Sequence, residues 1–209
     1  SKADMKVVRV SELPAFSFFH TGDAYEESDG TIRFDVGTYK DPEFSMQGEA
    51  DVIAGRYTPM GQDRSAKLAM AVLPPSGPGR LEQLPIGAEF LRTDDRFQGV
   101  KKRHTWAVDM AERAHAPGAQ RLNHYDWGSE RLASHNYGSH HIIEEHVFVP
   151  RPGSSKEGDG WMIGTTLNMA AGATEVHVLD ALNLNAGPIV SYRAPYAWPL
   201  GFHGAWAGA

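Results

Sequence analysis

The chain has no cysteine, no apolar run long enough to cross a membrane, and no basic tract longer than Lys101-Lys102-Arg103. Each absence excludes something. Without cysteine there are no disulfides and no thiolate nucleophile or metal ligand; a reducing compartment fits, and the cytoplasm is the expected location. A bilayer-crossing helix needs about 20 consecutive apolar residues; none is present, although contact with a membrane surface stays open. A net charge of −6 with so little clustered positive charge leaves no footprint for nucleic acid. Long helical periodicity is scarce as well, and only 43–54 and 106–116 read as short helices. The opening Ser1-Lys2-Ala3-Asp4 has neither the apolar core of a signal peptide nor an initiator methionine, so a piece of a longer chain is expected.

What is present is short alternation, punctuated by 22 glycines and 13 prolines. Strands are expected at Lys6–Val10, Phe16–His20, Thr31–Tyr39, Lys67–Leu73, His104–Met110, Leu122–Trp127, Leu132–Tyr137, His146–Pro150, Trp161–Met169, Glu175–Asp180 and Ile189–Ala194. The chain therefore reads as all-β, and 209 residues suffice for one sizeable domain. Three hairpins begin at 67, 120 and 174, in steps of 53 and 54. A strand-rich unit repeating near 50 residues suggests propeller blades; a sandwich with evenly spaced hairpins is the alternative. The Asp29-Gly30 and Asp159-Gly160 steps suit tight turns between strands. The blade-like units run at about 14–85, 86–138 and 142–195, with a closing strand at 196–206.

Two histidines sit in similar collars. Gly201-Phe202-His203-Gly204-Ala205-Trp206 flanks one with glycine and aromatics, and Phe18-Phe19-His20-Thr21-Gly22 holds the other. Neutral imidazole is a common metal ligand. Between them lie two acidic strand starts, Glu89 and Glu145. If blades are correct, the innermost strands carry His20, Glu89 and Glu145 toward the axis, and His203 follows 58 residues after Glu145.

Four segments, in order, resemble the carotenoid cleavage oxygenases, a family that includes lignostilbene dioxygenases. Phe19-His20-Thr21-Gly22-Asp23-Ala24-Tyr25-Glu26-Glu27 is similar to the family's Phe-His-x-x-Asn-Ala-(Tyr/Trp)-Glu-Glu, and Glu89-Phe90-Leu91-Arg92 to its Glu-Phe-Pro-Arg. Glu145-His146-Val147-Phe148-Val149-Pro150-Arg151 is similar to its Glu-Pro-x-Phe-Val-Pro-Arg, and Gly201-Phe202-His203-Gly204 to its terminal Gly-Phe-His-Gly. The resemblance implies a seven-bladed propeller, of which this chain covers about the last three blades. It also implies an axial non-haem Fe(II) that cleaves a carbon–carbon double bond of a carotenoid, apocarotenoid or stilbenoid with dioxygen. Of the family's four histidine ligands, His20 and His203 match the third and fourth, while Glu89 and Glu145 match glutamates that orient ligands. The first two ligands belong to the missing N-terminal half, an expected partner. Glu89 is expected to serve His20 and Glu145 to serve His203, each within about 3.2 Å. Trp198 and Phe202, two of the terminal aromatics near His203, are the candidates for an apolar substrate pocket.

Other readings compete. A catalytically inactive propeller fragment serving as a structural or binding module is the alternative to an enzyme. His140-His141-Ile142-Ile143-Glu144-Glu145-His146 has some likeness to helical zinc-hydrolase motifs, but the histidines fall five apart and the segment runs into a strand-like stretch. His146 is expected as an exposed or edge histidine pointing away from Glu145. Lys101-Lys102-Arg103 is expected as a solvated turn, and Glu26-Glu27 as a solvated strand end.

Overall fold

The computed structural model describes residues 3–42, 49–56, 65–109 and 118–207. Among the described residues there are twelve strands: β1 (Ser17–Glu26), β2 (Ile32–Tyr39), β3 (Lys67–Leu73), β4 (Arg80–Gly87), β5 (Glu89–Arg92), β6 (His104–Asp109), β7 (Arg121–Asp126), β8 (Arg131–Asn136), β9 (His141–Pro150), β10 (Gly160–Asn168), β11 (Ala173–Asp180) and β12 (Pro188–Arg193). One short helix, α1 (Glu49–Ile53), falls inside the expected 43–54; residues 43–48 lie outside the described residues. In the other expected helix, residues 106–109 belong to β6 instead, and 110–116 lie outside the described residues. Trp106, Ala107 and Val108 are all buried, as a strand covered on both faces requires.

The strands form three antiparallel four-stranded sheets, β1-β2-β3-β4, β5-β6-β7-β8 and β9-β10-β11-β12. Chain order equals spatial order in each, the up-and-down meander of a propeller blade. The three hairpins spaced near 53 residues are the outer pairs β3–β4, β7–β8 and β11–β12, with partners such as Ala69↔Gln83, Tyr125↔Leu132 and Val178↔Val190. β1 packs on β5 and β5 on β9, so these three are neighbouring inner strands.

Apolar residues fill the seams between sheets. Leu68, Ala88, Leu91, Ala107 and Tyr125 close the first seam. Trp106, Leu122, Ile143, Phe148, Met162, Leu179 and Leu184 close the second, where the Trp106 indole N–H also donates to Ala181 O at 2.8 Å. The first seam holds a sealed charge pair too. Asp35, 0% exposed, accepts from Lys102 Nζ, from Thr105 Oγ1 at 2.6 Å and from the Asp23 N–H at 2.9 Å. The Lys101-Lys102-Arg103 turn is therefore not simply solvated: Lys102 is buried in that pair, and Arg103 binds Asp126 through two N–H groups. Losing one member of a buried pair costs about 3–5 kcal/mol, because the other charge stays behind without a partner.

Three further expectations change. Lys6–Val10 forms no strand, and Val7, Val8 and Val10 stand exposed. Residues 196–206 form no strand either; Pro199 withholds a ladder donor, and the stretch is tied down by isolated hydrogen bonds. Asp29-Gly30 does make a tight turn, with Gly30 at φ 84°. Asp159-Gly160 does not: Gly160 opens β10, where an added Cβ would meet Val149 O at 2.2 Å. Close backbone approach, not positive φ, requires glycine there.

Candidate metal centre

The three inner strands share a defect in one region. Between Phe18 and Thr21, β1 advances three residues while β2 advances two. β5 does the same against β6 between Glu89 and Arg92, and β9 against β10 where Glu144 and Glu145 lie opposite Thr165. Each is a β-bulge, which breaks strict alternation and re-aims a side chain. His20, Glu89 and Glu145 sit in or at the edge of these bulges. Phe90, within the β5 bulge, adopts φ 49°. That left-handed conformation is strained for a bulky residue, typically by about 1–3 kcal/mol.

The bulges bring the four anticipated residues together in two pairs. His20 Nδ1 lies 2.5 Å from Glu89 Oε2, which also accepts from the Phe90 N–H at 3.2 Å. His203 Nδ1 lies 3.3 Å from Glu145 Oε1, a long contact just outside the 3.2 Å anticipated for it. Carboxylates only accept, so each Nδ1 carries the hydrogen and each Nε2 is left with its lone pair. Those two Nε2 atoms face one another at 3.3 Å.

This arrangement fits a cation. Two bare imidazole nitrogens that close repel each other unless a proton or metal lies between them. Nitrogens bound at about 2.1 Å to one metal, roughly at right angles, would sit about 3 Å apart. Two imidazoles alone make an incomplete set, and among the described residues no group of three or more His, Cys, Asp and Glu is placed to hold a metal. The His140–His146 segment offers no zinc-protease face, since it enters β9 rather than a helix.

The second pair depends on residues that sequence reasoning did not single out. Arg92 Nη2 donates to both Glu145 Oε2 and Gly204 O, each at 2.7 Å, and the Gly204 N–H returns to Glu145 Oε2 at 2.8 Å. Burial acts to raise the Glu145 carboxyl, but Arg92, the Gly204 N–H and His203 outweigh it, so its pKa lies below the usual carboxylate value. The neighbouring Glu144 accepts from the Gly201 N–H and from Thr165 Oγ1. The Phe90 ring completes the centre, 4.7 Å from His20 and 5.4 Å from His203, centre to centre. Arg92 and Phe90 stand in the quoted Glu-Phe-Leu-Arg segment, the one sequence signal that could have found them.

A model of the family described as RPE65, retinal pigment epithelial membrane protein, matches residues 1–208. The chain belongs to this family. It is 38% identical over 130 residues to lignostilbene-alpha,beta-dioxygenase isozyme III of Sphingomonas paucimobilis, covering 58% of this chain and 26% of that protein. It is 26% identical over 205 residues to resveratrol cleavage oxygenase 1 of Aspergillus fumigatus, covering 90% of this chain and 40% of that protein. The lignostilbene dioxygenase structure from Pseudomonas brassicacearum superposes with a TM-score of 0.79 at 25% identity, over 94% of this chain and 43% of that one. This RPE65-family chain thus spans less than half the length of these relatives, and its three sheets are blades of their β-propeller.

Within that frame the terminal aromatics are open. Phe202 is 74% exposed with its ring 6.4 Å from Phe90, and Trp198 is tied through its backbone N–H to Thr174 Oγ1 at 2.8 Å. A cleft of about 240 Å³ runs past Arg92, Arg96, Phe148 and Trp206, but neither Trp198 nor Phe202 lines it. Among the described residues no helix is long and apolar enough to cross a membrane.

Proposed function

We propose that this chain is the C-terminal part of a non-haem iron(II) oxygenase that cleaves a carbon–carbon double bond with dioxygen. The substrate would be a carotenoid, an apocarotenoid or a stilbenoid, and each carbon of the broken bond would leave as a carbonyl. The observation that carries this reading is the pair of imidazoles with Nδ1 on carboxylates and Nε2 atoms facing at 3.3 Å. Family membership and the two relatives named for stilbene cleavage support the reaction class.

In this reading His20 and His203 are ligands, and neutral imidazoles suit Fe(II) while leaving positions open. Bound iron supplies dioxygen binding and activation. The chain's own residues do the rest. Glu89 and Glu145 fix the tautomer and ring direction of the ligands. Arg92 keeps Glu145 ionised and ties the Gly204 backbone to it. Phe90 puts an apolar ring beside the histidines and Phe202 puts a second one next to Phe90, suited to a conjugated apolar substrate. The remaining ligands come from the part of the family length outside this chain, so activity is assigned to the whole protein.

The test is elemental analysis of the complete natural protein purified anaerobically. About one iron per chain, lost in His203→Ala and in His20→Ala, is the expected result. Wild-type protein without iron, or iron retained in both variants, overturns the assignment.

A further inference from the structure

His146 is not the edge residue that alternation suggests. It is 1% exposed, and its imidazole lies flat against β10 opposite Gly164, where an added Cβ would come within 2.4 Å of the ring. Gly164 is therefore the seat of this side chain. The ring's hydrogen bonds define its state. Its Nδ1 is 2.9 Å from the carbonyl of Glu144, which can only accept, so Nδ1 carries the hydrogen. Its Nε2 is then the acceptor for the Tyr137 hydroxyl at 2.9 Å. Burial keeps the ring neutral, with a pKa pulled down to about 4.

The carbonyl that His146 holds belongs to the bulge. Glu144 and Glu145 are the two residues that oppose Thr165. From that kink Glu145 reaches His203 and Gly204, and Glu144 reaches the Gly201 N–H. A regular strand would turn one of these carboxylates to the opposite face from the other.

We propose that His146 is a positioning residue that, braced by Tyr137 and seated on Gly164, pins the β9 bulge so that Glu145 meets His203. This deepens the metal-centre reading and rests on it. Where the family's segment has proline after this glutamate, which restricts the backbone covalently, the present chain restrains it with a side-chain hydrogen bond.

The test uses the complete natural protein with three variants. His146→Asn places an amide N–H near the Nδ1 position and keeps the bond to Glu144. His146→Leu fills similar space without it. Gly164→Ala crowds the ring off its seat. Release of iron to a chromogenic ferrous chelator is followed beside thermal melting. The expected result is Asn within about twofold of wild type, with Leu and Ala releasing iron about tenfold more readily, the size typical of a lost supporting partner. Iron retention should not follow the order of melting temperatures. Wild-type retention in the Leu variant, or retention that simply tracks melting temperature, overturns the proposal. If wild-type protein holds no iron, the metal reading fails separately. Crystal structures of wild type and His146→Leu then decide: displaced Glu145 supports the positioning role, and an unmoved Glu145 overturns it.

Discussion

The two histidine–glutamate pairs have the same chemistry and different foundations. His20 and Glu89 both stand on strands, β1 and β5, and meet at 2.5 Å. His203 stands on a stretch with no strand, its side chain 56% exposed, and meets Glu145 at 3.3 Å. The first pair is placed by strand packing. The second is placed by tethers: Arg92 to Glu145 and Gly204, Glu144 to Gly201, and His146 beneath the bulge. A strand-built pair inherits the rigidity of two sheets, whereas a tethered pair is as good as its few hydrogen bonds. The teaching is that matched histidine–glutamate pairs need not have matched robustness.

Acid should break this contrast most strongly. Burial pulls both His124 and His146 down to about 4, from an ordinary 6.5. Between those values the unfolded chain binds protons that the folded chain refuses. Stability is therefore full above pH 6.5 and falls as pH drops toward 4, by about 3 kcal/mol per histidine. Urea denaturation from pH 7 to pH 4 should show this, and His124→Gln should flatten the slope. The order of loss sharpens the contrast, because protonating His146 strikes the support of the tethered pair; hydrogen exchange at Gly204 should rise before exchange in β1.

Removing the carboxylates comes next in size. Glu145→Ala and Glu89→Ala should each weaken iron binding by about 10- to 100-fold. Glu145→Ala should lie at the upper end, since Glu145 holds both the His203 ring and the Gly204 N–H. Only that variant should also speed exchange at Gly204. Equal effects on iron and on exchange would mean that the two pairs are built alike.

The smallest expected effect is at Phe202. Truncating an exposed side chain to Phe202→Ala should move stability by no more than about 0.5 kcal/mol. It should nevertheless raise KM for an apolar conjugated substrate, with Trp198→Ala as the parallel case. An unchanged KM in both variants removes them from the pocket.

Much of the architecture is readable from one-dimensional pattern. The near-53-residue spacing of hairpins corresponds to β3–β4, β7–β8 and β11–β12, because every blade repeats the same short-range strand and turn chemistry. The segment around His104 to Met110 reads as a strand and also overlaps a helix reading from 106 onward. Trp106, Ala107 and Val108 are apolar without alternation, and a strand covered on both faces has no periodicity to separate it from a short helix. The candidate residues His20, Glu89, Glu145 and His203 were found through glycine and aromatic collars and family-like segments. Lys102 and His146 depart from the local sequence pattern for one reason. Each finds its partner across a seam or a bulge, Asp35 at a separation of 67 residues and Tyr137 across the β9 kink.

By itself, then, the sequence determined the all-β class, the blade period, the absence of thiol chemistry, and which residues carry imidazole and carboxylate. Those are properties of residue type and local spacing. Only the tertiary structure decided how closely each carboxylate meets its imidazole, that all three inner strands bulge where His20, Glu89 and Glu145 lie, and that Arg92 and His146 stand behind Glu145. A bulge shifts side-chain direction by one residue and is set by how neighbouring strands fit together. No period along the chain encodes that fit.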